Sequence, residues 1–288
     1  MCRFALYLGQ PTHIAELVTA PDNSIINQSF HSHLRKEPLN GDGFGVAWYA
    51  EGHAQPAVFK EVHPAWNSLN LRSVARVTRS TCILAHVRAA SPGLPVSQVN
   101  CHPFARGPLA FMHNGGLAGF KHLMRRLRTE LSDAAYEAIE GTTDSEHLLA
   151  LAQDAWDRRA GEPTLARLGD ALTDAIATAE RLRAELAIAE PSLLNLVLTD
   201  GAQAAVTRWI SDPAQPANTL FVHQGAGYHC QDGVCRMIAT PGGRGCVIVA
   251  SEPLSEDPGW QEVPVNHRVL VDADLDVEIA PIALPPAA

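Results

Sequence analysis

In the stretch CILAHVR, residues 82–88, small and branched apolar side chains occupy every second position. Ile83, Ala85 and Val87 are predicted on one face, and the other alternate residues, which end in Arg88, are predicted on the opposite face. Successive side chains of a β-strand point to opposite sides, so this pattern predicts a strand. It is one of several short strands that the first 115 residues show between glycine and proline residues.

Helices are predicted in the middle of the chain. One is expected to begin near Thr143, and apolar residues at spacings of three and four from Leu165 to Leu186 predict another, which Pro191 ends. Strands are predicted again from Leu193 onward. Strands followed by helices and then by further strands predict an α+β layered fold. Because no linker rich in Pro, Gly or Ser divides the chain, we predict one domain over residues 2–288.

The composition is that of a packed globular protein. Of the 288 residues, 46% are hydrophobic and 18% are charged, which excludes bulk disorder. The formal net charge is −9, from 22 Lys plus Arg against 31 Asp plus Glu. Nucleic acids and anionic membranes require a basic surface, so neither is expected as a partner.

The sequence also carries expectations about location and redox state. No apolar run approaches the roughly 20 residues that span a bilayer, and no signal peptide is evident, so a cytoplasmic protein is predicted. The six cysteines are few and scattered, which predicts reduced thiols rather than a disulfide framework.

Cys2 is the cysteine in an unusual position. Removal of the initiator Met1 would leave a chain that begins with a thiol and an α-amine on one residue. An α-amine titrates near pH ~8, so a useful fraction is a neutral base at physiological pH. It could take the thiol proton and activate Cys2 as a nucleophile. The alternative interpretation is an ordinary cysteine on a first strand.

Three further positions allow both a structural and a chemical interpretation. Arg88, at a strand end, could hold a carboxylate or simply reach solvent. Asn114-Gly115 predicts a turn and could also supply the donors of an oxyanion hole. Asp144 follows Thr143, which forms a predicted capping box with Glu146, and could either support the helix start or bind an ammonium group.

The order of these signals resembles the glutaminase domain of class II glutamine amidotransferases. The matching motifs are a glycine-rich segment, His-x-Arg, Asn-x-His-Pro, His-Asn-Gly and Thr-Asp-x-Glu. In this chain they are residues 40–45, 86–88, 100–104, 113–115 and 143–146. The resemblance is specific through about residue 150, and residues 247–253 are similar to the family's late core strand and the turn after it.

The resemblance implies an N-terminal nucleophile hydrolase fold, a four-layer αββα sandwich of two antiparallel sheets between helical layers. It implies Cys2 as nucleophile, with Asn114 and Gly115 as the oxyanion hole. Arg88 and Asp144 would bind the α-carboxylate and α-ammonium of a small-molecule γ-glutamyl substrate, and the His-x-Arg motif adds His86 to the substrate-binding residues. No metal and no cofactor are expected.

Alternatives remain open at this stage. The chain could be a glutaminase subunit that delivers ammonia to a separate partner chain, or a non-catalytic binding protein on the same fold. A homo-oligomer is left open beside the partner subunit, as is the identity of the leaving amine. His223, His229, Cys230 and Cys235 lie close together in sequence, but their spacing matches no zinc pattern, and a polar loop is predicted there.

Overall fold

Two antiparallel sheets form the centre of the fold in the computed structural model, which describes residues 2–34, 39–90, 93, 95–231, 234–238 and 245–284. The first sheet has seven strands. In order across the sheet they are β13 (Gln261–Glu262), β9 (Phe221–Gly225), β12 (Cys246–Ala250), β1 (Arg3–His13), β4 (Arg79–Val87), β2 (Phe44–Trp48) and β3 (Ala57–Glu61).

The second sheet has six strands, and a separate two-stranded hairpin lies outside both sheets. The order in the second sheet is β15 (Val277–Pro281), β14 (His267–Val271), β8 (Ala204–Arg208), β7 (Leu193–Thr199), β6 (Leu109–Gly116) and β5 (Phe104–Arg106). The hairpin consists of β10 (Gly227–Gln231) and β11 (Val234–Ile238).

Seven α-helices surround the sheets in the described part of the chain. They are α1 (Ala15–Val18), α2 (Ile25–Gln28), α3 (Leu69–Val77), α4 (Phe120–Thr129), α5 (Asp133–Glu137), α6 (Asp144–Asp157) and α7 (Leu165–Glu185). Short 3-10 turns occupy Ala65–Asn67 and Gln98–Asn100. No helix among the described residues combines the length and the apolar character that crossing a membrane requires.

Strand alternation divides the buried side chains into three apolar layers. Ile83, Ala85 and Val87 pack with residues of α1, α2 and α3, whereas Leu84 packs with residues of the second sheet. The outer face of the second sheet packs against α4, α6 and α7. Leu196 of β7 is one of the side chains on that face. The layers are therefore helix, sheet, sheet and helix, which confirms both the predicted αββα sandwich and the two predicted faces of strand 82–88.

Several local predictions need correction. The predicted turn at Asn114-Gly115 is wrong, since β6 continues to Gly116, which pairs with Leu193 of β7. The predicted polar loop around residues 223–235 is wrong as well, because the described residues there belong to β9 and the β10–β11 hairpin. The expectation of reduced thiols fails for one pair: Cys230 and Cys235 face each other across the hairpin, with Cα atoms 4.0 Å apart, and form a disulfide.

Candidate active site

Cys2 lies beside Arg88 because strands β1 and β4 pair in antiparallel register. Arg3 is opposite Val87 and Phe4 is opposite His86, so the next position places Cys2 against Arg88. Cys2 shares its strand face with Phe4, whose side chain lies between the two sheets. Its thiol donates to the carbonyl oxygen of Ala89, at 3.7 Å. The nucleophile proposed from the sequence is thus at one end of the space between the sheets.

The thiol of Cys2 is nearly enclosed, with 9% of the residue exposed. Burial raises its pKa above the ordinary value, the guanidinium of Arg88 lowers it, and the carboxylate of Asp144 raises it. Arg88 is opposite Cys2 in the β1–β4 register, and Asp144 binds the backbone N–H of Leu117 at the end of β6. A thiol with a raised pKa needs a base to become a nucleophile at neutral pH.

Arg88 is held in place by the glycine-rich segment that precedes β2. Its backbone N–H donates to the carbonyl oxygen of Gly43, at 2.8 Å, and its Nη1 donates to the carbonyl oxygen of Asp42, at 3.3 Å. The Asp42 carboxylate accepts from the backbone N–H of Ala90, at 2.8 Å. Asp42 thereby binds both the Arg88 side chain and the backbone that follows Arg88. Among the described residues, no protein group accepts from the remaining guanidinium N–H groups, so they can bind an anionic ligand.

Asn114 lies on β6, and its side chain points into the space between the sheets. Its Nδ2 donates to Oγ of Ser251, at 3.3 Å, and the same hydroxyl accepts from the backbone N–H of Phe4, at 3.1 Å. Asn218 donates to the Asn114 carbonyl oxygen, at 3.2 Å. Ser251 thus connects the Asn114 amide to β1, two residues beyond Cys2.

Asp144 is the first residue of α6. Thr143 caps the helix, because its hydroxyl accepts from the backbone N–H of Glu146, at 3.2 Å. The two Asp144 oxygens accept from backbone N–H groups, Oδ2 from Leu117 at 2.8 Å and Oδ1 from Ser145 at 2.9 Å. These bonds aim the carboxylate at the end of β6, where Gly116 and Leu117 follow the Asn-Gly pair.

The capping box is only half formed. The carboxylate of Glu146 does not reach back to Thr143 but accepts from Arg106 Nη2 at 2.8 Å and from the backbone N–H groups of Glu140, at 2.9 Å, and Gly141, at 2.6 Å. Glu146 therefore fixes the loop before the helix, and Asp144 is the acidic residue that remains near the thiol.

His86 occupies a different place from the other proposed site residues. Its Nε2 donates to the carbonyl oxygen of His113, at 3.1 Å, and its ring stacks on that of His102 with the centroids 4.2 Å apart. Burial lowers the pKa of His86 to about 3, so the ring is neutral and a weak base. This environment supports a packing role between the sheets, and substrate contact by His86 stays a prediction.

Two features of this region were not predicted from the sequence. Ser251 lies in the segment 247–253 that resembles the family, but the sequence did not indicate a role for it. The feature that could have pointed to it is its position directly after β12. Arg3, adjacent to Cys2, forms a buried ion pair with Glu252, with Nε 2.6 Å from Oε1. No pattern of spacing connects residues 249 positions apart, so this pair could be found only in three dimensions.

The structure brings Cys2, Arg88, Asn114 and Asp144 to one end of the layer between the two sheets. A thiol, a cation, an amide donor and an anion are the groups that acyl transfer from a zwitterionic substrate requires. Among the described residues, no group of three or more His, Cys, Asp or Glu side chains is arranged to hold a metal ion. The fold and this set of residues are those of an amidohydrolase.

Comparison with known proteins identifies the family. The chain belongs to the class-II glutamine amidotransferases, a family that matches residues 19–280. It is 38% identical over 295 residues to the probable glutamine amidotransferase DUG3 of Saccharomyces cerevisiae, across 94% of this chain and 82% of the yeast protein. It is 31% identical over 285 residues to the γ-glutamyl-hercynylcysteine sulfoxide hydrolase of Mycolicibacterium smegmatis, across 98% of this chain and 100% of that protein.

Solved structures show the same fold. A glutamine aminotransferase class-II domain protein from Silicibacter pomeroyi superimposes with a TM-score of 0.68 at 25% identity, covering 99% of this chain and 100% of that one. An allosteric regulatory enzyme of purine biosynthesis superimposes with a TM-score of 0.62 at 15% identity, covering 99% of this chain and 50% of that one, and it supports the fold alone. The family and the fold class predicted from the sequence are confirmed.

Proposed function

We propose that this protein hydrolyses the γ-amide bond of glutamine or of a γ-glutamyl conjugate through a thioester on Cys2. The observation that carries the proposal is that the β1–β4 register places Arg88 opposite Cys2, while the Asp144 carboxylate binds the backbone N–H of Leu117, just beyond Asn114 and Gly115. The α-carboxylate and the α-ammonium of a glutamyl group carry the complementary charges. A relative named as a γ-glutamyl hydrolase supports the same substrate class.

Recognition of the glutamyl group uses both charges. Arg88 holds the α-carboxylate with the N–H groups of its guanidinium that the protein leaves available, and Asp144 accepts from the α-ammonium. Both side chains are fixed by hydrogen bonds to the backbone, so they lose little conformational freedom when the substrate binds. The γ-carbonyl carbon is thereby held near the sulfur atom of Cys2.

The chemical steps follow from the groups around the thiol. After removal of Met1, the α-amine of Cys2 takes the thiol proton, and the sulfur attacks the γ-carbonyl carbon. The Asn114 amide and the Gly115 backbone N–H bind the negative oxygen of the tetrahedral intermediate. The C–N bond breaks, and the leaving amine receives the proton held by the α-amine. A water molecule then attacks the thioester, which releases glutamate and restores the thiol.

A screen of γ-glutamyl compounds for release of glutamate tests the proposal. The processed protein is expected to release glutamate from at least one compound, and Cys2→Ala is expected to release none. Glutamate release by Cys2→Ala would refute the nucleophile. If no γ-glutamyl compound is cleaved by the processed protein, with or without a co-purifying partner chain, the binding-protein alternative is favoured.

The role of the α-amine has its own test. An uncleavable N-terminal tag turns this amine into an amide, which is not basic, whereas a C-terminal tag leaves it intact. The N-tagged protein is expected to be folded and inactive, and the C-tagged protein active. A similar rate of glutamate release by both forms would show that another group removes the thiol proton.

A further inference from the structure

The histidine that precedes Asn114 is held at both ring nitrogens. His113 is 2% exposed and its ring points toward helix α6. Its Nε2 lies 3.1 Å from the carbonyl oxygen of Leu193, and its Nδ1 lies 2.9 Å from Oγ of Ser145. A carbonyl oxygen only accepts, so Nε2 carries a proton, and in the neutral ring Nδ1 is then an acceptor. The hydroxyl of Ser145 therefore donates to His113.

Ser145 has a second acceptor within reach. Its hydroxyl oxygen is 3.4 Å from Oδ1 of Asp144, whereas its distance to Nδ1 of His113 is 2.9 Å. A hydroxyl has one proton, so donation to His113 withdraws it from Asp144. The acceptor that His113 offers thus decides where the Ser145 proton points.

The direction of this proton changes the capacity of Asp144. Its carboxylate has about four acceptor positions, and backbone N–H groups of Leu117 and Ser145 occupy two of them. A hydroxyl turned toward Oδ1 would occupy a third. An α-ammonium offers three donors, and it binds best where the carboxylate has the most acceptor positions left.

We infer that His113 and Ser145 are positioning residues that hold the Ser145 proton away from Asp144 and keep its carboxylate open for the substrate's α-ammonium group. The inference rests on the proposed function, because it assigns a purpose to the binding of a glutamyl group by Asp144. His113 also bonds to the Leu193 carbonyl, which lies against Gly115, so one ring connects the proposed oxyanion segment with the ammonium site.

The test measures the preference for an α-ammonium by calorimetry. The probes are L-glutamate and glutarate, which differ by that group, and the quantity is the ratio of the two dissociation constants in the Cys2→Ala background. His113→Phe removes the acceptor, so the Ser145 hydroxyl turns to Asp144 and the ratio is expected to fall about tenfold, as for one charged hydrogen bond. Adding Ser145→Ala removes the competing hydroxyl and is expected to restore the ratio to within about threefold.

Recovery on removal of a second side chain is a result that loss of packing alone would not give. Ser80→Ala is the matched control, because Ser80 is another buried serine whose hydroxyl donates to a backbone carbonyl, that of Tyr49 at 2.7 Å. It should leave the ratio unchanged. An unchanged ratio in His113→Phe, or no recovery in the double variant, would overturn the inference. If the Cys2→Ala parent shows no preference for L-glutamate, the proposed function itself fails.

A second measurement needs no substitution at His113, whose loss also removes the bond to Leu193. Imidazole ¹⁵N chemical shifts of the histidine-labelled wild-type protein report which ring nitrogen carries the proton. His113 is expected to be protonated at Nε2 and to accept at Nδ1. A proton on Nδ1 would make the Ser145 hydroxyl an acceptor from His113 and would refute the inference.

Discussion

The carbonyl oxygen of Leu193 overlaps the position that a β-carbon on Gly115 would occupy. Gly115 also has a φ of 153°, a value that residues with a side chain rarely adopt. Strand β7 approaches strand β6 so closely at this point that only glycine fits. The close approach holds the backbone beside Asn114, where the oxyanion of the proposed reaction would form.

Gly115→Ala is therefore expected to destabilise the protein and to abolish glutamate release, because β6 and β7 would have to separate. Thermal unfolding and the glutamate assay measure the two effects. Gly227→Ala is the matched control, since a β-carbon there would meet its nearest neighbour, Ile238, at an ordinary 3.6 Å. Equal behaviour of the two variants would show that the close approach has no consequence.

Selective labelling is predicted for Cys2. Cys82, Cys101 and Cys246 are fully buried, and burial raises the pKa of Cys82 and of Cys246 to about 12. A glutamine analogue that carries an electrophile should therefore form one adduct, at Cys2, as peptide mass spectrometry would show. An adduct on Cys82 or Cys101 would be inconsistent with the proposed nucleophile.

Removal of the Asn114 amide should affect the chemical step. Asn114→Ala is expected to lower kcat about 10²–10³-fold with little change in KM, as for an oxyanion-hole donor. Asn195, which pairs with Asn114 across β6 and β7, is the matched control, because its amide donates to the carbonyl oxygen of Thr219. Asn195→Ala should lower the stability of the protein, but it should lower kcat much less than Asn114→Ala does. A rise in KM alone for Asn114→Ala would assign this residue to binding.

The two charges of the proposed clamp should govern opposite ends of the substrate. Arg88→Gln is expected to remove the preference for an intact α-carboxylate, and Asp144→Asn the preference for an α-ammonium, as ratios of kcat/KM for matched compounds would show. Glu146→Gln is the control, because its carboxylate binds Arg106 and two backbone N–H groups. Glu146→Gln should lower the stability of the protein and leave both substrate preferences unchanged. Unchanged specificity in Arg88→Gln and Asp144→Asn would mean that both residues are structural.

The buried Arg3–Glu252 pair predicts a pH-dependent contribution to stability. Burial alone raises the pKa of Glu252, but the hydrogen bond from Ser32 and the charge and hydrogen bond of Arg3 outweigh it, and the pKa is lowered. The unfolded chain then binds more protons below about pH 4.3, so the contribution is present above that pH and is lost as the pH falls through the folded-state pKa.

Glu252→Gln is expected to lower the free energy of unfolding by about 3 kcal/mol at pH 7, the usual cost of breaking a buried pair. The difference in the free energy of unfolding between this variant and the wild-type protein should shrink in acid. Urea titrations at pH 7 and at a pH below the folded-state pKa of Glu252 would measure it. Glu185→Gln is the control, since this exposed residue pairs with Arg181 at 2.6 Å and with Arg126 at 3.9 Å on the surface, and it should change stability by less than about 1 kcal/mol. A difference for Glu252→Gln that persists unchanged in acid would contradict the linkage.

Long periodic segments could be predicted from the sequence because their patterns are local. Strand β7 begins at Leu193, where strands were predicted to resume, whereas α7 ends at Glu185, before Pro191, which was predicted to end it. Helix α4 was missed, since only Leu123 and Leu127 are buried among its basic residues. The turn at Asn114-Gly115 was mispredicted because Asn-Gly favours hairpins, whereas pairing with β7 extends the strand.

The sequence by itself determined the family, because its motifs match those of the family in residue type and in order. The same motifs gave the proposed nucleophile, the cation, the amide and the anion of the site. Only the tertiary structure decided which groups surround them. Ser145 turns toward His113, Ser251 connects Asn114 to β1, and Glu252 pairs with Arg3. These contacts join residues 32, 137 and 249 positions apart, and no local pattern encodes them. These contacts form because the packing of the two sheets and helix α6 brings residues that are distant in the sequence next to one another.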